Sequence, residues 1–234
     1  MPTLVLVRHG RTPANAQGVL AGRTPGVHLD EVGREQAEKV AARIAAVPLA
    51  RLVASPLTRT VETAKAIAAH QDPTPTIVRD KGLVECGYGD WTGKPLKELS
   101  KDPLWKTVQS QPSAVTFPGG ESLAGVQHRA VATVRRIDAE VAAEHGDGAC
   151  WVAVSHGDVI KAILADALGM HLDSFQRLMV APASVSVVQY TQSRPVVLFV
   201  NDGGADLSGL KPPARKRARK RSGDAAVGGG DGSL

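Results

Sequence analysis

Leu6-Val7-Arg8-His9-Gly10 is the stretch of sequence that decides the fold. The apolar, β-prone residues 3–7 stop abruptly at Arg8-His9-Gly10, which is typical of a buried strand that delivers polar side chains to the edge of a sheet. A second apolar run ends in the same way far downstream, at Ser155-His156-Gly157. Ligands of open α/β sheets bind at the carboxyl ends of the strands. The two histidines are therefore expected to lie in one site.

Short apolar strands alternate with amphipathic helices along the chain. This alternation predicts an α/β fold with a mostly parallel central sheet and helices on both faces. The predicted strands cover residues 3–7, 51–54, 76–78, 150–154, 185–190 and 196–200. The predicted helices cover residues 31–46, 57–69, 103–109, 122–145 and 158–168, and residues 8–30 are predicted to be a loop.

The composition favours a folded domain in a reducing compartment. The length of 234 residues and the hydrophobic fraction of 43% fit one α/β domain with a substantial core. Cys86 and Cys150 form neither a disulfide framework nor a metal pattern, so a cytoplasmic location is expected. The sequence shows neither a secretory signal nor about 20 consecutive apolar residues that would span a bilayer. Aromatic residues make up only 3% of the chain, which provides no base-stacking platform for nucleic acid.

The positive charge of the chain is concentrated at its C-terminus. Residues 211–234 contain seven basic and two acidic residues, so their net charge of +5 equals that of the whole chain. We expect residues 1–205 to form the domain and residues 206–234 to be a disordered basic tail. The run RKRARKR from Arg215 to Arg221 is expected to make weak contacts with polyanions, with a purely solubilising tail as the alternative.

Two arginines and an asparagine add hydrogen-bond donors to the expected site. Arg8 and Asn15 belong to the loop after the first strand, and Arg59 falls in the first turns of the helix after the second strand. Planar guanidinium groups match phosphate oxygens in bidentate geometry. The helix that begins after Gly157 adds backbone N–H groups and a favourable dipole. The chemistry indicated is phosphoryl transfer without a metal, in which one histidine attacks phosphorus.

Neighbouring charges indicate which groups carry protons. Arginines lower the pKa of a nearby imidazole because a second cation is disfavoured, so the nucleophile stays neutral near pH 7. The departing oxygen needs a proton, and Glu85 is the candidate acid, a lone carboxylate between apolar neighbours in a glycine-rich loop. Partial burial would raise its pKa toward the range useful for a general acid. A surface glutamate is the alternative for this position.

Five motifs follow one another along residues 3 to about 200. They are Arg8-His9-Gly10-x-Thr12-x-x-Asn15, Ser55-Pro56-x-x-Arg59-x-x-x-Thr63, Glu85 with Gly89-x-Trp91-x-Gly93, Pro118-x-Gly120-Glu121-Ser122, and Ser155-His156-Gly157. In this order they resemble the histidine phosphatase superfamily, which includes the cofactor-dependent phosphoglycerate mutases and many broad phosphatases. The resemblance implies a phosphoglycerate-mutase-like fold.

The resemblance also implies a role for each matching residue. His9 would be the phosphorylated nucleophile, and Glu85 would be first the acid and then the base. The phosphoryl group would be held by Arg8, Asn15, Arg59 and His156. Residues 94–121 would form a lid that lies over the pocket and reads the substrate. The other candidate phosphate- and substrate-binding residues are Gly157, Arg11 and Arg23.

The sequence favours a phosphatase over a mutase. Only 71 residues separate Glu85 from His156, and the short lid lacks an adjacent arginine pair to grip a second acidic group. We therefore expect a metal-independent phosphomonoester phosphatase that needs no cofactor. The alternative is a 2,3-bisphosphoglycerate-dependent phosphoglycerate mutase or a related phosphomutase. The expected partners are a small phosphorylated metabolite and a second copy of the chain, with no membrane.

Other classes fit the sequence poorly. Ala153-x-Ser155-x-Gly157 resembles a nucleophile elbow, but such a hydrolase needs an acid and then a histidine downstream. Beyond the adjacent His156, only His171 follows that serine, 16 residues on, which leaves little room for a separate strand to present it. Cysteine-dependent phosphatases carry an arginine six positions after the cysteine, and neither Cys86 nor Cys150 has one there. The spacing of the histidines predicts no metal site. A non-catalytic binding module is disfavoured because all the candidate catalytic residues are present.

Overall fold

A six-stranded sheet runs through the middle of the protein. Its strands are β1 (Thr3–Arg8), β2 (Leu49–Ala54), β3 (Ile77–Arg79), β4 (Cys150–Ser155), β5 (Val185–Tyr190) and β6 (Pro195–Asp202), in the order β3-β2-β4-β1-β5-β6. The first four strands are mutually parallel, whereas β5 and β6 pair in antiparallel fashion. The predicted α/β fold with a mostly parallel sheet is confirmed.

The computed structural model describes residues 1–204 and Gly228. The α-helices within residues 1–204 are α1 (Pro13–Gln17), α2 (Glu31–Ile44), α3 (Thr58–Ala69), α4 (Leu96–Leu99), α5 (Pro103–Ser110), α6 (Leu123–His145) and α7 (Gly157–Ala167). The prediction of a disordered basic tail with a polyanion-binding run falls, apart from Gly228, outside the described residues.

Strand β1 separates two hydrophobic cores. Leu4 and Leu6 belong to the core shared with α6 and α7, whereas Val5 and Val7 belong to the core shared with α2 and α3. Successive side chains of a strand point to opposite faces of the sheet. A strand that is apolar on both faces is therefore buried between two helical layers, which is why the continuous apolar run predicted β1 correctly.

Two short helices lie where the sequence did not predict them. In the predicted loop 8–30, the hydroxyl of Thr12 accepts the N–H of Asn15, and the Asn15 side chain accepts the N–H of Thr12. This reciprocal capping box satisfies two backbone donors and stabilises the single turn of α1. Helix α4 has four residues, which is too short for a periodic apolar pattern to reveal it.

Residues 94–121 pack against the loop that follows β1. The N–H of Leu96 donates to the carbonyl of Gly18 at 2.8 Å, and Val19 forms an isolated antiparallel bridge with Pro95. Trp105 of α5 stacks on Trp91, with 6.1 Å between the ring centroids. The segment is thus anchored both to the loop after β1 and to the core. Its role as a lid stays a prediction.

The loop after β1 approaches the start of α2 too closely for side chains. A Cβ on Gly10 would lie less than 3.0 Å from the carbonyl oxygen of Gly33, and a Cβ on Gly33 would lie less than 3.0 Å from that of Arg11. The N–H of Gly33 also donates to the Asp30 carboxylate that caps α2, at 2.7 Å. Glycine permits this backbone contact, which holds the segment immediately after His9 in place.

We expect Gly33→Ala to lower the free energy of unfolding by about 1–2 kcal/mol. Overpacking against backbone costs about 1–3 kcal/mol or more, and the gain in helix propensity of about 1 kcal/mol offsets only part of it. Gly203→Ala is the control, because a Cβ there would meet nothing within 4 Å. Urea unfolding measures both variants. Equal stability of Gly33→Ala and the control would contradict the prediction.

Candidate active site

His9 and His156 meet at the carboxyl ends of two adjacent strands. Strands β1 and β4 pair in parallel with Arg8 opposite Ser155, so the residue after each strand is a histidine at the same edge of the sheet. The ring centroids of His9 and His156 lie 5.3 Å apart, and the ring planes are inclined by 63°. Both side chains are buried. The structure therefore brings together the two histidines that the sequence placed in one site.

The hydrogen bonds of His9 determine which ring nitrogen carries its proton. Nδ1 of His9 lies 2.7 Å from the carbonyl oxygen of Gly10, which can only accept, so Nδ1 is the donor. Nε of Arg59 lies 3.2 Å from Nε2 of His9 and donates to it, so Nε2 carries the lone pair that accepts this hydrogen bond. His9 is thus the neutral tautomer protonated at Nδ1, with Nε2 beside a guanidinium group.

Burial and positive charge keep both imidazoles neutral. Burial lowers the pKa of His9 well below its usual 6.5, and the guanidinium groups of Arg59 and Arg8 lower this pKa further. The pKa of His156 is also well below 6.5, again through burial first and then the charge of Arg59. Each imidazole is therefore uncharged at neutral pH, when a lone pair is needed for attack on phosphorus.

Two guanidinium groups are fixed beside the histidines by backbone carbonyls. Arg8 donates through Nη1 to the carbonyl of Val180 at 2.7 Å, and Arg59 donates through Nη2 to that of Gly22 at 2.8 Å. Burial lowers the pKa of Arg8 to about 10, so the group remains cationic at neutral pH. These contacts hold the cations in place before any ligand arrives, which is the preorganisation that stabilises developing negative charge.

Two buried nitrogen atoms of this site have no hydrogen-bond partner among the described residues. Within residues 1–204 and Gly228, Nη1 of Arg59 and Nδ1 of His156 make no hydrogen bond. The other ring nitrogen of His156 lies 2.7 Å from the hydroxyl of Ser55, which fixes the orientation of the ring. Buried polar groups are rarely left unpaired. Arg59 also lines the cleft beside the imidazoles, and a guanidinium group with an unpartnered nitrogen there indicates a site for an anionic ligand.

Glu85 lies on the opposite side of His156 from Ser55, and its surroundings raise its pKa. One carboxylate oxygen is 3.9 Å from Nδ1 of His156, and the other accepts the N–H of Cys86 at 2.9 Å. Burial, and then the negative charge of Asp158, raise the pKa of Glu85 to about 7. A carboxyl group with this pKa can donate a proton at neutral pH and accept one back.

The cleft beside the histidines is small, with a volume of about 30 Å³. His9, Asn15, Arg59 and Glu85 are among the residues that line it, and Leu96 comes from the segment 94–121. The amide oxygen of Asn15 is engaged by Thr12 in the capping box described above, which places this side chain at the cleft. Gly157 is the first residue of α7, directly after His156.

Two arginines that were predicted to bind substrate form ion pairs with other residues and do not line the cleft. Arg11 pairs with Asp30 at 2.8 Å, near the cap of α2. Arg23 pairs with Glu121 at 2.7 Å and donates to the backbone carbonyl of Glu85 at 2.8 Å. The sequence could not distinguish these arginines from Arg8 and Arg59, because their partners come from distant parts of the chain.

A backbone group from the C-terminal region also contacts the site. The carbonyl of Gly228 accepts Nη2 of Arg8 at 3.1 Å, and its N–H donates to Asp158 at 3.1 Å. The same Asp158 oxygen accepts the hydroxyl of Tyr88 at 2.7 Å. Asp158 and Tyr88 were not identified from the sequence. The position of Asp158, two residues after His156, is the one signal that could have indicated the first of them.

The sequence model of the histidine phosphatase superfamily (branch 1) matches residues 4–203. The chain belongs to the histidine phosphatase superfamily. Phosphoserine phosphatase 1 of Hydrogenobacter thermophilus is 32% identical over 203 residues, covering 86% of this chain and 92% of that protein. The probable phosphoglycerate mutase GpmB of Yersinia pestis is 30% identical over 217 residues, covering 92% and 97%. The solved structure of YhfR from Bacillus stearothermophilus has a TM-score of 0.77 at 29% identity, covering 86% and 98%.

Membership of the histidine phosphatase superfamily confirms the resemblance predicted from the five motifs. The relatives include both a phosphatase and a phosphoglycerate mutase by name, so the chain is an enzyme of this phosphatase and mutase-like kind. The motifs identified the superfamily because they stand in order over almost the whole matched region.

The raised pKa of Glu85 predicts the pH dependence of this histidine phosphatase. We expect kcat/KM for an alkyl phosphate to fall about tenfold per pH unit above about pH 7, because the free enzyme must carry the Glu85 proton. The lowered pKa of His9 places loss of the nucleophile well below pH 6.5. Glu85→Gln should reduce the rate by on the order of 10²–10⁴ and abolish the decline at high pH. A decline of the same slope and midpoint in Glu85→Gln would assign it to another group.

Proposed function

We propose that this histidine phosphatase hydrolyses small phosphomonoesters through a phosphohistidine at Nε2 of His9. The observation that carries the proposal is the contact between Nε2 of His9 and Nε of Arg59 at 3.2 Å. It places a neutral imidazole lone pair beside a cation whose Nη1 has no hydrogen-bond partner among the described residues. The nucleophile His9 and a binding group for the phosphoryl oxygens, Arg59, thus lie next to each other in the cleft.

In the first step, Nε2 of His9 attacks phosphorus, and the bond from phosphorus to the substrate oxygen breaks. Glu85 transfers its proton to that oxygen, so a neutral alcohol leaves. Arg8, Arg59, Asn15 and His156 hold the oxygens of the phosphoryl group. The negative charge on those oxygens is stabilised by groups that are already oriented, which lowers the barrier without a metal ion.

In the second step, the ionised Glu85 accepts a proton from water as the water oxygen attacks phosphorus. The bond from phosphorus to Nε2 of His9 breaks, inorganic phosphate leaves, and the imidazole is again neutral. The carboxyl group has regained its proton, which completes the cycle. A pKa near 7 suits both directions of proton transfer at neutral pH.

The basic residues of the segment 94–121 favour hydrolysis over mutase activity. A mutase must hold a second acidic group of a bisphosphorylated intermediate, and this segment has single lysines without an arginine pair. The match to a phosphoserine phosphatase suggests phosphate esters of small carboxylic acids as substrates. The match to a probable phosphoglycerate mutase keeps mutase activity as the second candidate.

Metal independence, a cytoplasmic location and a homodimer complete the proposal. The guanidinium groups of Arg8 and Arg59 supply the positive charge for which many phosphatases use metal ions. Two free cysteines support a reducing location, and no helix of residues 1–204 is long and apolar enough to cross a membrane. Exposed Leu198 and Phe199 on the edge strand β6 offer an apolar surface for a second copy.

Covalent phosphorylation of His9 provides the direct test of this mechanism. Enzyme quenched with alkali during turnover should carry an acid-labile phosphate that peptide mass spectrometry assigns to His9. His9→Ala should retain the fold and lose both the phosphate and turnover. His128→Ala, which changes an exposed histidine of α6, is the matched control and should keep both. Substantial turnover by His9→Ala would rule the mechanism out.

A substrate panel with and without EDTA tests the reaction class. We expect release of inorganic phosphate from phosphoserine and phosphoglycerate to exceed interconversion of the phosphoglycerates, and EDTA to leave the rate unchanged. The measurements are phosphate release and product analysis by NMR, with 2,3-bisphosphoglycerate added in one arm. Interconversion faster than hydrolysis would establish the mutase instead. Activity lost in EDTA and restored by a divalent ion would contradict metal independence.

A further inference from the structure

A carboxylate outside the cleft holds two arginines at once. Glu121 accepts Nε of Arg129 at 2.7 Å through one oxygen. Its second oxygen accepts Nη2 of Arg23 at 2.7 Å and Nη2 of Arg129 at 3.1 Å. We call Arg23, Glu121 and Arg129 the Glu121 cluster. The opposite charges and the bidentate geometry make it a rigid unit.

The Glu121 cluster forms hydrogen bonds with the backbone of the loop that carries Glu85. Nε of Arg23 donates to the backbone carbonyl of Glu85 at 2.8 Å, and Nη2 of Arg129 donates to the same oxygen at 3.2 Å. Nη1 of Arg129 donates to the carbonyl of Gly82 at 2.7 Å. The N–H of Gly87 donates to the Glu121 carboxylate at 3.0 Å. The backbone is thus held before, at and after Glu85.

The position of the Glu85 side chain depends on this backbone. Its carboxylate accepts the N–H of Cys86, so a rotation of the peptide unit between these two residues would move the carboxyl group. Proton transfer requires a distance of about 2.6–3.2 Å between heavy atoms in the reacting complex. A misplacement of about 1 Å, even from a distant change, can reduce a rate about 10²-fold.

We propose that Glu121 and Arg129 are positioning residues for the general acid Glu85, an inference that rests on the proposed function. Arg23, which the sequence placed among the phosphate-binding residues, takes part in the same positioning. The cluster acts on the main chain of Glu85 and makes no hydrogen bond with its carboxylate. It therefore sets where the proton is delivered.

The charges that act on Glu85 come from other residues. Burial and Asp158 raise its pKa, while Arg59, the N–H of Cys86 and Arg8 lower it. A variant of the Glu121 cluster should therefore change the height of the pH profile and leave its midpoint near 7. An unchanged midpoint would show that the variant displaces the Glu85 carboxyl group and does not change its pKa.

The test compares Glu121→Gln and Arg129→Gln with Glu140→Gln. Glu140 lies on α6 and also holds two arginines, Arg51 at 2.7 Å and Arg136 at 2.6 Å, on the surface away from the cleft. We expect the two cluster variants to lower kcat/KM for an alkyl phosphate, which reports the phosphorylation step, about tenfold to 10²-fold. The kcat/KM for p-nitrophenyl phosphate, whose leaving group needs little protonation in that step, should fall less than threefold. The ratio of the two rates should not change in Glu140→Gln.

Combination with Glu85→Gln decides whether the cluster acts through Glu85. Arg129→Gln should cause no further loss in the Glu85→Gln background, because the proton it positions is gone. An additional loss of tenfold or more there, or equal losses on both substrates in the single variant, would overturn the inference. If Glu85→Gln alone leaves the ratio of the rates on the two substrates unchanged, Glu85 is not the general acid. That result would contradict the proposed function, and it differs from the two results that would overturn the positioning inference alone.

Folding of each variant is checked by its Tm and by phosphorylation of His9 with p-nitrophenyl phosphate. Arg129→Lys retains the positive charge but cannot bridge Glu121 and two carbonyls at once. This variant should fold, and it should still lose activity on the alkyl phosphate more than on p-nitrophenyl phosphate. Full alkyl phosphate activity in a folded Arg129→Lys would show that bidentate positioning is not required and would overturn the inference.

Discussion

The parallel pairing of β1 with β4 is the constraint on which the rest of the site depends. It places Arg8 opposite Ser155, and the chain leaves both strands at the same edge through histidines that are far apart in sequence. A shift of one residue in this register would turn every side chain of one strand to the other face. Since Leu4 to Val7 are divided between two different cores, burial on both faces holds the register.

Burial of so many charges beside the strand ends is tolerated because they compensate one another. Two arginines and two acidic residues are almost fully buried in this region, Arg8, Arg59, Glu85 and Asp158. Backbone carbonyls and the Tyr88 hydroxyl satisfy part of their hydrogen-bonding capacity. Removal of one charge from such a group costs more than the loss of one contact, because its partner then remains buried and unpaired. The same low polarity keeps the imidazoles neutral and raises the pKa of the Glu85 carboxyl group to about 7.

The proposed nucleophile and the proposed acid are held in different ways. His9 stands at the end of a central strand, and the loop behind it packs directly on the backbone of α2 at Gly33. Glu85 stands between two short 3₁₀ helices, Lys81–Leu83 and Gly89–Trp91, outside the sheet and the α-helices. Side chains from elsewhere in the chain therefore hold it, and Glu121 collects the two arginines that do so. A loop can present a precisely placed acid only when its main chain is held by such contacts.

Local pattern determined the strands, the long helices and the residues next to strand ends. The apolar runs, the cap at Asp30 and the ordered motifs depend on neighbours in sequence, so they could be interpreted without coordinates. Helices α1 and α4 were missed because one turn leaves no periodicity. The tertiary structure alone decided that Arg23 joins Glu121 and that the Gly228 backbone reaches Arg8. Such contacts join groups tens to hundreds of positions apart, and which arginine meets which acceptor is set by packing of the whole chain.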